Sequence, residues 1–210
     1  MTRLAEPLAA VVFDIGGVLE CNPRTGWQAR WEVRLGLGAD ELAGRLTPLW
    51  SRGDIGALSL TEIERRTAAL LDLDAPHLRA LMDDHWAEYI GTLNEPLARY
   101  FASLRPRYRT GILSNSFVGA REREEAAYGF AQMCDAVVYS HEQGIKKPDR
   151  RLYEIVCARL DVEPSRAIFL DDVQVCVDGA RRAGMSAIRF ADNEQAIVEL
   201  EHRLAAAATG

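Results

Sequence analysis

No uninterrupted hydrophobic run in these 210 residues approaches the ~20 residues a membrane-spanning helix needs. Basic residues are scarce too. Lys and Arg number 25 against 31 Asp and Glu, net charge is -6, and no basic stripe stands out. Nucleic acid, gripped through clustered Lys and Arg, is therefore not an expected partner, and neither is a membrane. The cysteines Cys21, Cys134, Cys157 and Cys176 are scattered with no Cys-x-x-Cys pair, which excludes the usual dithiol and zinc spacings. They read as free buried thiols in a reducing compartment. Met1 to Ala10 lacks the apolar length and the small-residue cleavage site of a secretory leader, so cytoplasm is the expected location. There is no internal repeat, and the one biased tract is the terminal run from Ala205, expected to fray. What is left is a composition that one large domain, or a core with a small insertion, can bury.

The rest of the chain is organised around Ala10-Val11-Val12-Phe13-Asp14-Ile15-Gly16-Gly17-Val18-Leu19. A continuous Val and Phe run is the pattern of a parallel strand buried on both faces. Asp14 then stands at its carboxyl end, where open α/β sheets place their ligand crevice, and the glycines allow a sharp turn and close approach. The plainer reading is a strand followed by a surface turn.

Residues 20–95 carry helix signals and no strand-like run. Gly26 to Leu35 forms one candidate, and Asp40 is placed to cap a second that runs to Trp50 and ends at the turn Arg52 to Gly56. Ser59-Leu60-Thr61-Glu62 reads as a capping box opening a third, and Pro76 starts a fourth. The stretch reads as an all-helical insert. All four tryptophans, Trp27, Trp31, Trp50 and Trp86, fall in it and are expected to build its core, with room for one or two to face a substrate. From Glu95, strand and helix alternate: strands at Arg109 to Leu113, Ala136 to Tyr139, Ala167 to Leu170 and Ser186 to Phe190, with helices between. The run Arg121 to Glu125 reads as a solvated helix face with internal ion pairs. Repeated βα units imply a doubly wound parallel sheet.

Three strands thus end in polar residues: Asp14, Ser114-Asn115 and Asp171-Asp172. Parallel strands bring these ends to one edge. Lys147 sits in the loop ahead of a helix whose first turn is expected to hold Pro148 and Asp149. Such a group suits phosphoryl transfer, which needs mainly positioning and electrostatics. Asp14 is the candidate nucleophile, and Asp171 and Asp172 the oxygen ligands for a hard cation such as Mg²⁺. Ser114, Asn115 and the amides from Ile15 to Gly17, Gly16 among them, are candidate donors to phosphoryl oxygens, and Lys147 neutralises charge. Taken singly, each piece has a plain structural counterpart, such as a helix cap, a turn or a surface lysine.

Asp14-Ile15-Gly16-Gly17-Val18-Leu19, Leu113-Ser114-Asn115, Gly144 with Lys147-Pro148, and Phe169-Leu170-Asp171-Asp172 together resemble the four motifs of the haloacid dehalogenase superfamily. The resemblance runs from residue 11 to about 190. It implies a Rossmann-like α/β core from residues 1–19 and 96–210, and a small α-helical cap over 20–95. It also implies that Asp14 is nucleophile and metal ligand, that Gly16 offers its carbonyl to Mg²⁺, that Ser114 and Asn115 hold the phosphoryl group, and that Asp172 binds the metal with Asp171 beside it.

Two positions depart from the pattern. Most phosphatases of the superfamily carry a second Asp, as general acid and base, where this chain has Gly16; Cys176 stands where Asn is common. The activity implied is Mg²⁺-dependent hydrolysis of a small phosphomonoester, a sugar phosphate among the candidates. Two alternatives stay open. One is a HAD-like binding protein with weak or lost catalysis, which Gly16 supports; the other is a metal-independent dehalogenase, which Asp171-Asp172 opposes.

Overall fold

The computed structural model describes residues 7–208. The expectation about a leader at Met1 to Ala10 falls in part on residues 1–6, which lie outside the described residues, as do Thr209 and Gly210. The chain enters the core as β1 (Ala10–Phe13), makes the short β2 (Glu20–Cys21), then forms the helices α1 (Trp27–Leu35), α2 (Glu41–Trp50), α3 (Leu60–Leu71) and α4 (Ala75–Ile90). It returns through β3 (Thr92–Leu93) and α5 (Glu95–Leu104) to β4 (Arg109–Ser114), α6 (Ala120–Tyr128), α7 (Phe130–Met133), β5 (Ala136–Tyr139) and α8 (Ser140–Gln143). The last part is α9 (Arg150–Arg159), β6 (Ala167–Asp171), α10 (Gln174–Arg182), β7 (Ser186–Arg189) and α11 (Asn193–Ala208).

The main sheet is parallel throughout, in the order β5-β4-β1-β6-β7. After β1 the chain builds outward on one side through β4 and β5, then on the other through β6 and β7. Strand order therefore reverses at β1, which is where such sheets open a crevice. Every residue of β1 is fully buried, and alternation explains how. Val11 and Phe13 face a core shared with α5 and α11; Ala10 and Val12 face one shared with α9 and α10.

Helices α1 to α4 form a third core around Trp27, Trp31, Leu42, Ile63, Leu81 and Trp86, completed by Phe117 and Ala120 from beyond β4. Their joint to the sheet is a two-stranded antiparallel ribbon, β2 with β3, in a stretch expected to hold no strand. Two residues per strand leave no periodicity to read.

Local signals behaved unevenly. Ser59 Oγ accepts from the Glu62 amide at 3.3 Å, and Asp74 Oδ1 accepts from the His77 amide at 2.9 Å to start α4. Asp40 precedes α2 in the left-handed region, φ 61°, and its side chain caps nothing. Pro148 lies ahead of α9 in a turn, joined to Lys147 by a cis peptide, and Asp149 is the N-cap, accepting from the Arg151 amide at 3.0 Å. Cys21 is exposed while the other three thiols are buried. The alanines 205–208 continue α11, in keeping with alanine's high helix propensity, and the rest of the tract expected to fray lies outside the described residues.

Candidate active site

Asp14 follows β1 directly, held by its amide to the Leu170 carbonyl at 2.9 Å. Lys147 Nζ lies 2.7 Å from Asp14 Oδ1 and 2.7 Å from Asp171 Oδ2, and donates to the Leu113 carbonyl at 3.1 Å. One ammonium thus ties the ends of β1, β4 and β6 together. All three charged groups are buried, at 6% exposure for Asp14, 3% for Lys147 and 0% for Asp171. Removing one member would leave a buried charge uncompensated.

Burial pushes the Asp14 carboxyl up to about 7; Lys147 pulls it back and Asp171 adds to the rise. Burial alone would lower Lys147, but the Asp14 and Asp171 carboxylates outweigh it and hold the ammonium above its ordinary value. Asp172, half-buried, is raised by burial and by Asp171. Oxygens of Asp14, Asp171 and Asp172 lie within 4.8 Å of one another. Three hard carboxylate donors so close, two of them pushed toward the neutral form, fit a divalent cation that would restore their charge.

The neighbouring residues divide their labour. Gly17, at φ 74°, is a position only glycine fits, because a Cβ there would sit 2.5 Å from Asp172 Oδ2. Gly16 has no such strain, and the nearest atom to its virtual Cβ is Asn22 Oδ1 at 3.6 Å. Two of the amides expected to face a phosphoryl group already have partners: Ile15 donates to Asp14 Oδ1 at 2.8 Å and Gly17 to Asn22 Oδ1 at 3.0 Å. The Asn115 side chain fixes the Lys147 loop, donating to the Lys147 carbonyl at 3.0 Å and accepting from its amide at 2.7 Å. Ser114 is buried, its hydroxyl 3.4 Å from the Asn115 carbonyl.

Two hollows meet here. One, of about 410 Å³, is lined by Asp14, Gly17, Lys147, Asp172 and Cys176, with Gly16, Asn22 and Asn115 at its border. The second, of about 280 Å³, shares those border residues and runs between sheet and insert, past Ser114, Glu20, Glu88, Tyr89 and Glu124. A larger hollow of about 800 Å³ lies near Pro164 to Arg166, ahead of the amino end of β6, away from every strand-end carboxylate.

The second chamber contains what sequence reasoning missed. Glu124 belongs to the run expected to be a solvated face, yet it is buried with its carboxyl toward Tyr139; Arg121 pairs instead with Glu142 of α8, at 2.8 Å from Oε2. Burial pushes Glu124 up to about 7, and burial with the nearby Glu124 pushes Glu20 up to about 9. No tryptophan lines either hollow: Trp27, Trp31 and Trp86 are core, and half-buried Trp50 donates to Thr67 at 3.0 Å. His85 is enclosed by Trp50, Trp86 and Phe117, and burial lowers it to about 4, leaving it neutral. A lone charged residue inside the otherwise apolar Val18 to Cys21 was the only available signal for Glu20.

A sequence profile for haloacid dehalogenase-like hydrolases matches residues 8–184. The chain belongs to this family. Among its HAD-like relatives, phosphatase MT3486 of Mycobacterium tuberculosis is 36% identical over 194 residues, covering 86% of each chain. Acyl-CoA dehydrogenase family member 10 of Mus musculus is 28% identical over 203 residues, 91% of this chain but 19% of that protein. The chain spans well under half the length of the mammalian relatives it matches. A HAD family enzyme, bt-2542 of Bacteroides thetaiotaomicron, solved with magnesium and inorganic phosphate, superposes with a TM-score of 0.78 at 16% identity, covering 90% of this chain and 98% of that one. That likeness shows the HAD fold. None of the described helices is long and apolar enough to cross a membrane.

Proposed function

We propose that this HAD-like hydrolase is a Mg²⁺-dependent phosphatase of small-molecule phosphomonoesters. The observation that carries the reading is the Lys147 ammonium 2.7 Å from both Asp14 and Asp171, at the rim of a three-carboxylate group. An Asp14 oxygen attacks phosphorus as the ester P–O bond breaks, giving an aspartyl-phosphate and the leaving alkoxide, which takes up a proton. Water then attacks the phosphorus, regenerating Asp14 and releasing inorganic phosphate. Lys147 holds the charge shared by Asp14 and the phosphoryl oxygens, and Ser114 offers a hydroxyl to them. Asn115 acts on the same group through the Lys147 loop it fixes. Asp14, Asp171, Asp172 and the Gly16 carbonyl are the groups that would hold Mg²⁺, which when bound would neutralise phosphoryl charge.

The phosphatase relative and the neighbour solved with magnesium and phosphate support this reading. A dehalogenase needs no metal and gives Asp172 no task. A purely binding role leaves the buried Lys147 bridge without a purpose. Hydrolysis of p-nitrophenyl phosphate with Mg²⁺, abolished by EDTA and restored by added Mg²⁺, is the expected result. No turnover with any of a panel of phosphorylated metabolites would overturn the proposal.

A further inference from the structure

The chamber beside the nucleophile is lined by two carboxyls, each with an oxygen that nothing in the protein satisfies. Glu20 Oε1 and Glu124 Oε2 are buried without a hydrogen-bond partner, and each residue is 1% exposed. The Tyr139 hydroxyl bonds to the Glu124 carboxyl, and the Asn22 side chain to that of Glu20. Two buried carboxyl oxygens without a protein partner in one small space are costly to maintain, and a ligand that donates to them removes the cost. No Lys or Arg lines the chamber.

Its position names the ligand's role. Gly16, Asn22 and Asn115 border both this chamber and the cleft of Asp14 and Lys147. A phosphoryl group resting on Asp14 would direct its ester substituent through that border. At about 280 Å³ the chamber has the volume of about nine waters at ~30 Å³ each, enough for a small polyol or amino alcohol.

We propose that this chamber, through Glu20 and Glu124, receives the leaving group of the substrate and selects one that donates hydrogen bonds and carries no negative charge. The proposal rests on the phosphatase reading. Hydroxyl and ammonium groups share the required chemistry. A carboxylate or second phosphate would meet the negative charge that Glu124, at about 7, carries in part near neutral pH, with no Lys or Arg lining the chamber to receive it.

Binding tests this without requiring turnover. Asp14→Asn protein in MgCl₂ would be titrated with glycerol 1-phosphate, phosphoethanolamine and phosphoglycolate, followed by calorimetry and thermal shift. The expected result is that the first or second binds about tenfold or more tighter than phosphoglycolate. Whichever of those two leads decides between hydroxyl and ammonium. Glu124→Gln, and Glu20→Gln with Glu124→Gln, should each reduce that preference, since an amide keeps the shape, presents a donor in place of one oxygen and cannot ionise. Phosphoglycolate binding as tightly as the others would overturn the assignment, as would an unchanged preference in folded Gln variants. Should the variants fail to fold, the preference among the three ligands still decides. Hydrolysis of p-nitrophenyl phosphate by the unmodified protein is scored separately. Selectivity without turnover keeps the chamber and removes the reaction; turnover without selectivity does the reverse.

Discussion

Replacing Gly16 with Asp offers the sharpest test of how this site handles its leaving group. The departing ester oxygen needs a proton, and a placed acid is typically worth about 10²–10⁴-fold, or about 2.7–5.4 kcal/mol at 1.36 kcal/mol per tenfold. Position 16 has no side chain to supply it. The backbone there accepts one: its φ lies outside the left-handed region, and the nearest obstacle to a Cβ is Asn22 Oδ1 at 3.6 Å. The residue borders both hollows, so a new carboxyl would stand between nucleophile and leaving group. Asp14, Asp171 and Asp172 nearby would push it up and hold its proton, the state an acid requires.

The assay is a leaving-group series run on both proteins, with the chemical step isolated by rapid quench and folding checked by circular dichroism. In the chemical step, wild type should be faster with aryl, acyl and anomeric phosphates than with alkyl phosphates, however tightly the alkyl esters bind. Gly16→Asp should raise the alkyl rate by about 10²-fold or more and change the aryl rate much less. Similar alkyl and aryl rates in the wild type would refute the reasoning. Another acid would then be at work, with the buried carboxyls of Glu124 and Glu20 the first to replace.

Asp14→Asn should remove turnover at nearly constant volume, and a variant retaining more than a trace of the wild-type rate would exclude Asp14 as nucleophile. Asp172→Ala should raise the Mg²⁺ concentration for half-maximal activity by at least about tenfold, read from a Mg²⁺ titration. Gly17→Ala, which drives a methyl to 2.5 Å from Asp172 Oδ2, should likewise raise the Mg²⁺ concentration for half-maximal activity with the fold intact by circular dichroism. Glu124, raised from 4.5 to about 7, binds a proton more tightly folded than unfolded, so its contribution is full below pH 4.5 and is lost as pH rises through 7. Glu124→Gln keeps the neutral shape and should gain on wild type by up to about 3 kcal/mol above pH 7 and little below pH 5, measured by denaturant melts across pH.

The core was legible because its signals are covalent neighbours. β1 is buried on both faces, so its apolar run needs no partner to be recognised, and the residue after a buried parallel strand is placed by topology alone. Asp14, Ser114 and Asp171 follow that rule, and the structure brings Lys147 onto two of them. Asn115 shows where the rule stops. Its position was readable, but its two bonds to the Lys147 main chain are a loop contact between residues 32 apart.

The chamber was illegible for the opposite reason. Glu124 stands in a charged helical run, and its neighbours Glu122 and Glu125 give no hint that one glutamate of the three turns inward. What buries it is the meeting of α6 with β5 and the insert, where Tyr139 supplies the hydroxyl that fixes its carboxyl. Asn22 is placed by the ribbon, and its amide bridges the Gly17 turn to the Tyr89 carbonyl at the end of α4, 2.5 Å away. The groups proposed for the phosphoryl step thus lie on strand ends and one loop of the sheet, while those proposed for the leaving group lie across a seam between two cores. Changes in the seam would leave the Lys147 bridge untouched, which is why the residues of the proposed phosphoryl step left a signal in the sequence and those of the proposed leaving-group chamber did not.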